Sequence, residues 1–594
     1  MQTSQIYLFH YINNSPSFSF RYCLEDLANE ILYEIFEYLD PYDIYKGFYN
    51  LNKRFHNLGI HSNVLTKINV STMSKSNFED YYRNILVSNR NQIKLLRLSN
   101  PFTADIIFSP PRTILNFGHL ETLILDNVQI RYFTKVFNRL IDLPKLHSLT
   151  ISLVGYNQSV DLLFIHTFRL PKLKYCKIEY QRKDNNNEPF QLYFTQCYSS
   201  PIECLIINGR FPVHAFRNLL CCLPKLQHLS IDYLVDSRYY MEQEELSHIE
   251  LKYLKHVSLK FDLIYFYEFE KIIKEFFYHV EILRLTTHYD ERFLNAKRWE
   301  KLIMSYMPYL RIFDISHQDS MKNDLTYHGI INQFNSSFWT KKKWFFTHQH
   351  HWKDKLNSEI IHSISPYRRK DYTYYGKPDD QLCSNIQEKN LNSVKHLYIA
   401  SEAIGDDCVN YFPNVNELSI EVSVNSISAT LHRMIPLRQL TKLVINSYVH
   451  QMTDIINLLR FTPNVHTLSF NLLCLYDMNI HFNKQNEKFQ YVLKKNKIQN
   501  LILSEECLFS EIQFIVYLFP RLEYLKAEMK KKEIEQIIRF LLSKTHNKTH
   551  NLFYLCISKV SKVRLKKTKM VIKSENLLND HSIKYINRDL HLWW

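Results

Sequence analysis

A six-residue pattern of apolar residues recurs along most of the chain and decides the fold. It reads LETLIL at 120–125, LHSLTI at 146–151, LKYCKI at 173–178, IECLII at 202–207, LQHLSI at 226–231, LKHVSL at 254–259 and VEILRL at 280–285. Each copy ends in an alternation of apolar and other residues with a period of two, which predicts a short strand with one buried face.

Further copies extend the pattern in both directions. They are IKLLRL at 93–98 and LRIFDI at 310–315, then VKHLYI at 394–399, VNELSI at 415–420, LTKLVI at 440–445, VHTLSF at 465–470, IQNLIL at 498–503, LEYLKA at 522–527 and LFYLCI at 552–557. The first nine copies end at 98, 125, 151, 178, 207, 231, 259, 285 and 315, so neighbours are 24 to 30 residues apart. A spacing of this kind indicates a repeat architecture.

The segments between the strands carry apolar residues at helical spacing, as in Phe216, Leu219, Leu220 and Leu223. Strand and helix therefore alternate, and each unit buries its apolar face against the next. The pattern resembles leucine-rich repeats of the kind that follow an F-box. The resemblance implies an α/β repeat fold, a curved solenoid with short parallel strands inside and helices outside.

The amino-terminal string LEDLANEILYEIFEYLDPYDIYKGFYNLNKRFHNL, residues 24–58, predicts three short helices. Asn29 is expected to cap the first helix, and Asp40-Pro41 to end it and begin the second. A module of this size cannot bury all its large side chains, so part of its apolar face should dock on another protein.

This string resembles the F-box, whose pattern it matches at Leu27, Glu30, Ile31, Leu32, Ile35, Phe36, Tyr38, Leu39, Asp40, Pro41, Asp43, Ile44, Lys53, Arg54 and Phe55, although Ala28 stands at the usual proline position. The resemblance implies a three-helix F-box that binds a Skp-type adaptor and, through it, a cullin ubiquitin ligase. The expected adaptor contacts are Leu27, Ile31, Leu32, Ile35, Phe36, Leu39, Pro41, Ile44, Leu51 and Phe55.

The expected domain organisation follows from these patterns. It comprises an N-terminal extension (1–23), the F-box (24–58), a first block of leucine-rich repeats (59–315), an inserted aromatic and basic segment or degenerate repeats (316–390), a second block of repeats (391–560) and a basic C-terminal tail (561–594).

The alternation within each strand predicts which side chains are available to a partner. Residues between the apolar positions should point to the concave face of the solenoid. Substrate contacts are expected at Tyr175, Lys177, His228, His256, Arg284, His396, Tyr398 and Tyr524. Because this surface is aromatic and mildly basic, its protein substrate is expected to be acidic or phosphorylated.

Composition limits the classes of function. Only 8 glycines occur among 594 residues, which argues against glycine-rich phosphate loops, and no nucleophile or metalloprotease motif is present. His348, His350 and His351 have no cysteine or carboxylate cluster at metal-binding spacing. We therefore expect a non-enzymatic protein with no catalytic residues, metal or cofactor.

Two functional hypotheses remain, and net charge bears on both. The first is a substrate-recognition adapter of a ubiquitin ligase, located in the cytoplasm or nucleus. The formal net charge of +15 supports the alternative, a basic solenoid that binds nucleic acid or a protein scaffold unrelated to ubiquitin. Because an F-box with repeats accounts for nearly the whole chain, we favour a protein partner over nucleic acid. Because no window approaches the ~18 continuous apolar residues of a membrane span, we expect no membrane partner.

Overall fold

A computed structural model describes the chain in two compact units, residues 1–68 and 69–594. The described residues exclude 1–23, 40, 50, 62–66, 71–72, 109–116, 130–136, 138–139, 157–159, 182–198, 237–249, 321–326, 350–357, 364–367, 375–390, 401–409, 423–429, 447–451, 472–486 and 544–548.

The amino-terminal unit contains a 3-10 turn (Leu24–Asp26) and the helices α1 (Asn29–Glu37), α2 (Pro41–Phe48) and α3 (Lys53–His61). Its core consists of five buried side chains, Leu32, Phe36, Ile44, Phe55 and Leu58. The expected capping role of Asn29 is wrong, because Ala28 is the N-cap residue. The Asn29 side chain instead accepts hydrogen bonds from Arg54, whose guanidinium also donates to the carbonyl oxygens of Glu25 and Leu27.

The first sheet has twelve strands, in the spatial order β1 to β10, then β12 and β11. The strands are β1 (Lys67–Val70), β2 (Leu95–Leu98), β3 (Thr122–Val128), β4 (Ser148–Tyr156), β5 (Tyr175–Gln181), β6 (Cys204–Pro212), β7 (His228–Val235), β8 (His256–Asp262), β9 (Ile282–His288), β10 (Ile312–Ser320), β11 (Phe346–Gln349) and β12 (Ser358–Ser363). Strands β2 to β10 are all parallel, whereas β12 is antiparallel to both β10 and β11.

The second sheet has ten strands, in the order β13 to β20, then β22 and β21. They are β13 (Asp371–Tyr374), β14 (His396–Ile399), β15 (Glu417–Ile420), β16 (Lys442–Ile445), β17 (Thr467–Phe470), β18 (Asn500–Cys507), β19 (Tyr524–Met529), β20 (Tyr554–Ser558), β21 (Ser582–Ile586) and β22 (Asp589–Trp593). This sheet is mixed, because β13 to β20 are parallel and the β21–β22 hairpin joins β20 in antiparallel fashion.

Helices connect many of the parallel strands. They are α4 (Lys75–Tyr81), which continues into a π-helical turn (Tyr82–Leu86), α5 (Pro101–Phe108), α6 (Asp161–Phe168), α7 (Val213–Cys221), α8 (Phe266–Phe276), α9 (Ala296–Tyr306), α10 (Tyr327–Gln333), α11 (Ser337–Lys342), α12 (Met452–Phe461), α13 (Glu487–Lys495), α14 (Phe509–Leu518), α15 (Ile534–Leu542) and α16 (Lys562–Ser574). Their apolar residues are buried in the core, as Phe216 and Leu219 of α7 are. Two 3-10 turns, Glu291–Leu294 and Leu437–Gln439, complete the connections.

The predicted fold, a three-helix F-box followed by one curved leucine-rich-repeat solenoid, is wrong. The chain has an α/β fold with a sheet of nine parallel strands, β2 to β10, and a separate mixed sheet. No three-helix F-box is evident in the described N-terminal residues, where three short helices enclose only a small core. The solenoid expectation failed because the antiparallel strands β11 and β12 end the first sheet, so the strands cannot form one continuous array.

Among the described residues of 69–594, two groups of contacts join the second sheet to the first sheet and its helices. At the first, which we call the Arg369 junction, Arg369 lies just before β13 and binds Asp314 on β10 and Thr286 on β9. At the second, which we call the Trp593 junction, Trp593 of β22 packs against Phe78 and Phe102. The carboxyl end of the second sheet therefore meets the amino end of the first.

Hydrogen bonds and an ion pair accompany the aromatic contacts of the Trp593 junction. The Trp593 indole donates to the carbonyl oxygen of Met73 at 2.9 Å, and the backbone N–H of Lys75 donates to that of Trp594 at 3.0 Å. Lys75 also pairs with Asp580. These contacts close the second unit on itself.

The inserted segment (316–390) and the C-terminal tail (561–594) of the expected domain organisation both contain regular structure. Residues 316–390 include the helices α10 and α11, the strands β11, β12 and β13, and the end of β10, while 561–594 include α16, β21 and β22. Of the three clustered histidines, His348 lies in β11, and His350 and His351 lie outside the described residues. Among the described residues, no helix combines the length and apolar character needed to cross a bilayer.

Candidate functional site

Alternate side chains of the parallel strands form a half-buried face on each sheet. In β7 the burial alternates strictly from His228 to Ile231, and β8, β9 and β14 repeat this pattern. The buried members join the core, so the other members are available to a partner. We call the surface that they form the inner face.

All eight predicted substrate contacts lie on this face. Tyr175 and Lys177 are on β5, His228 on β7, His256 on β8 and Arg284 on β9, whereas His396 and Tyr398 are on β14 and Tyr524 is on β19. The structure brings several of them together, but they do not form one group.

The first group contains His228, His256 and Arg284. His228 and His256 are directly opposite each other on β7 and β8, with ring centroids 4.1 Å apart. Burial, together with the neighbouring His228 and Arg284, lowers the pKa of His256 to about 4. Burial, with a contribution from Arg284, likewise lowers the pKa of His228. Both imidazoles are therefore held in the neutral form at this site.

Arg284 links this group to the Arg369 junction. Arg284 Nε lies 3.9 Å from Asp314 Oδ2, and both atoms are buried without a hydrogen-bond partner among the described residues. Burial lowers the pKa of Arg284, Asp314 opposes this shift, and Arg369 and Arg368 add to it. Arg369 is the better connected guanidinium, with hydrogen bonds to Asp314 Oδ1 (3.1 Å), Thr286 Oγ1 (2.7 Å) and the carbonyl oxygen of Leu285 (2.6 Å).

His396 and Tyr398 continue the inner face on the second sheet. One ring nitrogen of His396 lies 3.2 Å from an Asp371 carboxylate oxygen, and the other lies 2.8 Å from the Ser419 hydroxyl. The His396 hydrogen bond is the main reason why the pKa of Asp371 is lowered, and Lys260 of the first sheet contributes to the same shift. His228, His256, Arg284, Arg369 and His396 therefore form a row of polar side chains, which we call the polar row, that crosses from the first sheet to the second.

Tyr524 belongs to a separate region at the other end of the second sheet. Its ring lies tilted against that of Tyr554, with ring centroids 5.2 Å apart, and both line a cavity of about 800 Å³. Residues of both sheets surround this cavity, including Ser152 and Glu179 of the first sheet and Asn500 and Lys526 of the second. A cavity of this size suits a side chain, a short peptide segment or a small molecule.

Three side chains on the cavity wall could hold a metal ion. The ligand atoms of Cys556, Asp589 and His591 all lie within 4.8 Å of one another. Burial raises the pKa of Cys556 to about 12 and lowers that of His591 to about 4. Because both shifts favour the neutral forms, the pair is a thiol beside an imidazole and not a thiolate nucleophile beside an imidazolium.

The predicted adaptor contacts divide according to exposure. Leu32, Phe36, Ile44 and Phe55 are buried in the unit's own core, while Leu27, Ile35 and Leu39 are partly buried around it. Ile31 and Leu51 are 46% and 53% exposed. The Pro41 side chain lies outside the described residues.

Sequence analysis missed several residues of these sites. Asp314 occupies the inner-face position of LRIFDI, and the same alternation rule that selected Arg284 could have found it. Asp589 and His591 alternate in the strand DLHLW, which was assigned to a basic tail and not to a strand. The proximity of Arg369 to Asp314, 55 residues apart, has no sequence pattern that would reveal it.

The chain was compared with protein-family models and with curated proteins, and neither comparison found a match.

Proposed function

We propose that this protein is a non-enzymatic substrate-recognition adapter of a Skp/cullin-type ubiquitin ligase. The observation that carries the proposal is the polar row of the inner face, which includes His228, His256, Arg284, Arg369 and His396 and crosses from one sheet to the other. A long row of half-buried donors suits recognition of an extended acidic or phosphorylated segment of a protein.

The amino-terminal unit supports the adapter part of the proposal. Its sequence resembles the F-box motif, and its exposed apolar side chains Ile31 and Leu51 are 46% and 53% accessible in the free chain. Large apolar side chains displayed on a small helical unit are typical of a docking surface. The Skp-type adaptor is the partner that this surface would bind, and a bound receptor raises the concentration of substrate lysines near the ligase.

Co-purification with a Skp-type adaptor tests this part directly. We expect Ile31→Asp to abolish co-purification while α1 stays folded, since Ile31 is exposed and outside the core of the unit. Glu34→Gln, an exposed position in the same helix, is the matched control and should bind normally. Wild-type yield of adaptor with Ile31→Asp contradicts the proposed docking surface.

Substrate capture is tested separately on the inner face. Replacing Tyr175, Arg284 and Tyr398 together with Ala should remove the proteins captured by proximity labelling, without changing adaptor binding. The equivalent replacement of exposed helix residues Lys271, Met304 and Tyr306 should leave capture intact. If labelling maps the substrate to those helices, the inner-face proposal fails while the adapter proposal survives.

A second candidate function is nucleic-acid binding, and helix α16 favours it. This helix has the sequence KVRLKKTKMVIKS, and Lys562, Lys566, Lys567 and Lys569 are exposed. Retention on immobilised nucleic acid at two salt concentrations tests this candidate. Binding through phosphates should fall steeply with salt, and Lys566→Gln with Lys567→Gln should reduce that dependence.

A further inference from the structure

The β20–β22 ladder places three metal-ligating side chain types on one face. Cys556 is directly opposite His591 in the antiparallel register. Asp589 lies two residues before His591 on β22, so both side chains project from the same face of the strand. The ligand atoms lie within 4.8 Å of one another, and Cys556 Sγ is 4.0 Å from His591 Nε2.

Neighbouring groups orient two of these side chains. The Tyr554 hydroxyl lies 3.0 Å from His591 Nδ1, which leaves Nε2 directed towards the Cys556 sulfur. The backbone N–H of Lys559 donates to Asp589 Oδ1 at 3.2 Å. A partner on the second nitrogen of a histidine is a regular feature of metal sites, because it fixes the ring and raises its basicity.

All three side chains line the cavity of about 800 Å³. A metal ion bound by them would therefore have protein ligands on the ladder side and free coordination positions on the cavity side. Three protein ligands with an open position distinguish sites that bind an exogenous ligand from closed structural sites.

We propose that Cys556, Asp589 and His591 form a zinc-binding site whose open position faces the cavity. A thiolate, an imidazole and a carboxylate are a ligand set that zinc accepts in tetrahedral geometry. Binding displaces the thiol proton of Cys556, which leaves to solvent as the metal–sulfur bond forms. None of the three ligands belongs to the amino-terminal unit or to the polar row, so metal binding is tested separately from adaptor binding and substrate capture.

Lys526 gives the proposal a second, opposite test. Its ammonium lies 3.7 Å from Asp589 Oδ2, so it competes with a cation for the same carboxylate. Lys526→Gln should therefore tighten metal binding, whereas loss of a ligand should weaken it.

Cobalt titration of the metal-free, full-length protein measures both effects. We expect one equivalent of Co²⁺ to bind with a thiolate-to-cobalt charge-transfer band, and Zn²⁺ to displace it. Cys556→Ser should abolish the band, and His591→Gln or Asp589→Asn should weaken binding at least about 10-fold. Cys204→Ser, at a half-buried cysteine on β6, and His147→Gln, at an exposed histidine outside the site, are the matched controls and should bind metal as wild type does.

The outcomes that overturn the site are defined for each arm. No charge-transfer band in the wild-type protein overturns it, as does a band that survives in Cys556→Ser. Unchanged affinity in both His591→Gln and Asp589→Asn overturns it as well. If circular dichroism shows that Cys556→Ser is unfolded, X-ray absorption of the wild-type zinc protein replaces that arm. One sulfur with nitrogen and oxygen ligands then supports the site, and any other sulfur number refutes it.

Discussion

The two junctions between the sheets use different physical means for the same purpose. At the Trp593 junction, an indole that is fully buried stacks with Phe102 at 5.6 Å and lies 5.6 Å from Phe78. At the Arg369 junction, one guanidinium makes its hydrogen bonds to Asp314, Thr286 and Leu285. Burial of apolar area is strong and non-directional, whereas hydrogen bonds are weaker but fix orientation.

This difference has a functional meaning. The Trp593 junction is next to the cavity, because Trp593 pairs with Tyr554 of the cavity wall, and the Arg369 junction is next to the polar row. The free energy of closure should therefore come mainly from the Trp593 junction, and the geometry of the inner face mainly from Arg369.

Trp593→Ala should have the largest effect on stability. Removing a fully buried indole and its hydrogen bond to Met73 should lower the free energy of unfolding by about 3–5 kcal/mol. Chemical denaturation measures the change. Trp594→Ala, a neighbouring partly buried tryptophan, is the control and should cost clearly less. Equal losses would mean that the aromatic stack does not stabilise the junction.

Acid should weaken the sheets near both junctions. Burial lowers the pKa of His317 on β10 and of His591 on β22 to about 4, below the ordinary value of 6.5. The unfolded chain therefore takes up protons first as the pH falls. The stability that these two neutral histidines contribute is fully present above about pH 6.5 and is lost as the pH falls towards about 4.

Substitution of His317 isolates its share of this pH dependence. The difference between 6.5 and about 4 corresponds to roughly 3 kcal/mol for the nearly fully buried His317. His317→Gln should remove that part of the pH dependence, measured as the free energy of unfolding at pH 4 and pH 7. An unchanged slope in His317→Gln would show that other groups cause it.

Arg369→Gln should cost about 2 kcal/mol, because Asp314 loses a charged hydrogen-bond donor in a buried position. Arg368→Gln, the adjacent arginine, is the control and should be nearly neutral. In a double-mutant cycle, Asp314→Asn should cost less in the Arg369→Gln background than in the wild type. Strict additivity would indicate that the two side chains do not interact.

Asp580→Asn should have the smallest effect, under about 1 kcal/mol, because the carboxylate that pairs with Lys75 is 51% exposed. Thermal melting at low and high salt measures it. Glu79→Gln removes the more distant partner of Lys75, at 3.9 Å, and serves as the control. A loss comparable to that of Trp593→Ala would reverse the ranking of polar and apolar contacts at this junction.

Local patterns predicted the strands well but not their assembly. Each parallel strand from β4 to β10 begins at the third residue of its six-residue signature, as β7 does at His228. The period of two is a local property, so the sequence reveals it. The division into two sheets depends on where β11 and β12 pair, and that choice is made by contacts between distant segments.

The same distinction applies to the candidate sites. The alternation rule placed His228, His256 and Arg284 on one face, because strands in register align equivalent positions. It could not place Arg369 beside Asp314, because that contact joins two sheets. It could not place Cys556 beside His591 either, because that contact joins β20 to the antiparallel β21–β22 hairpin. The cavity itself is formed only when the ends of the two sheets meet.

The Trp593 junction also bears on the order of events in folding. Neighbouring strands pair residues such as His228 and His256 that are close in sequence, whereas Trp593 bonds to Met73 across 520 residues. Local contacts form at little entropic cost, so closure should follow assembly of the strands. Contacts that are absent from the folding transition state govern the unfolding rate and not the folding rate. The Trp593 contacts should therefore determine the kinetic stability of residues 69–594, which is the time that this unit stays closed before it unfolds.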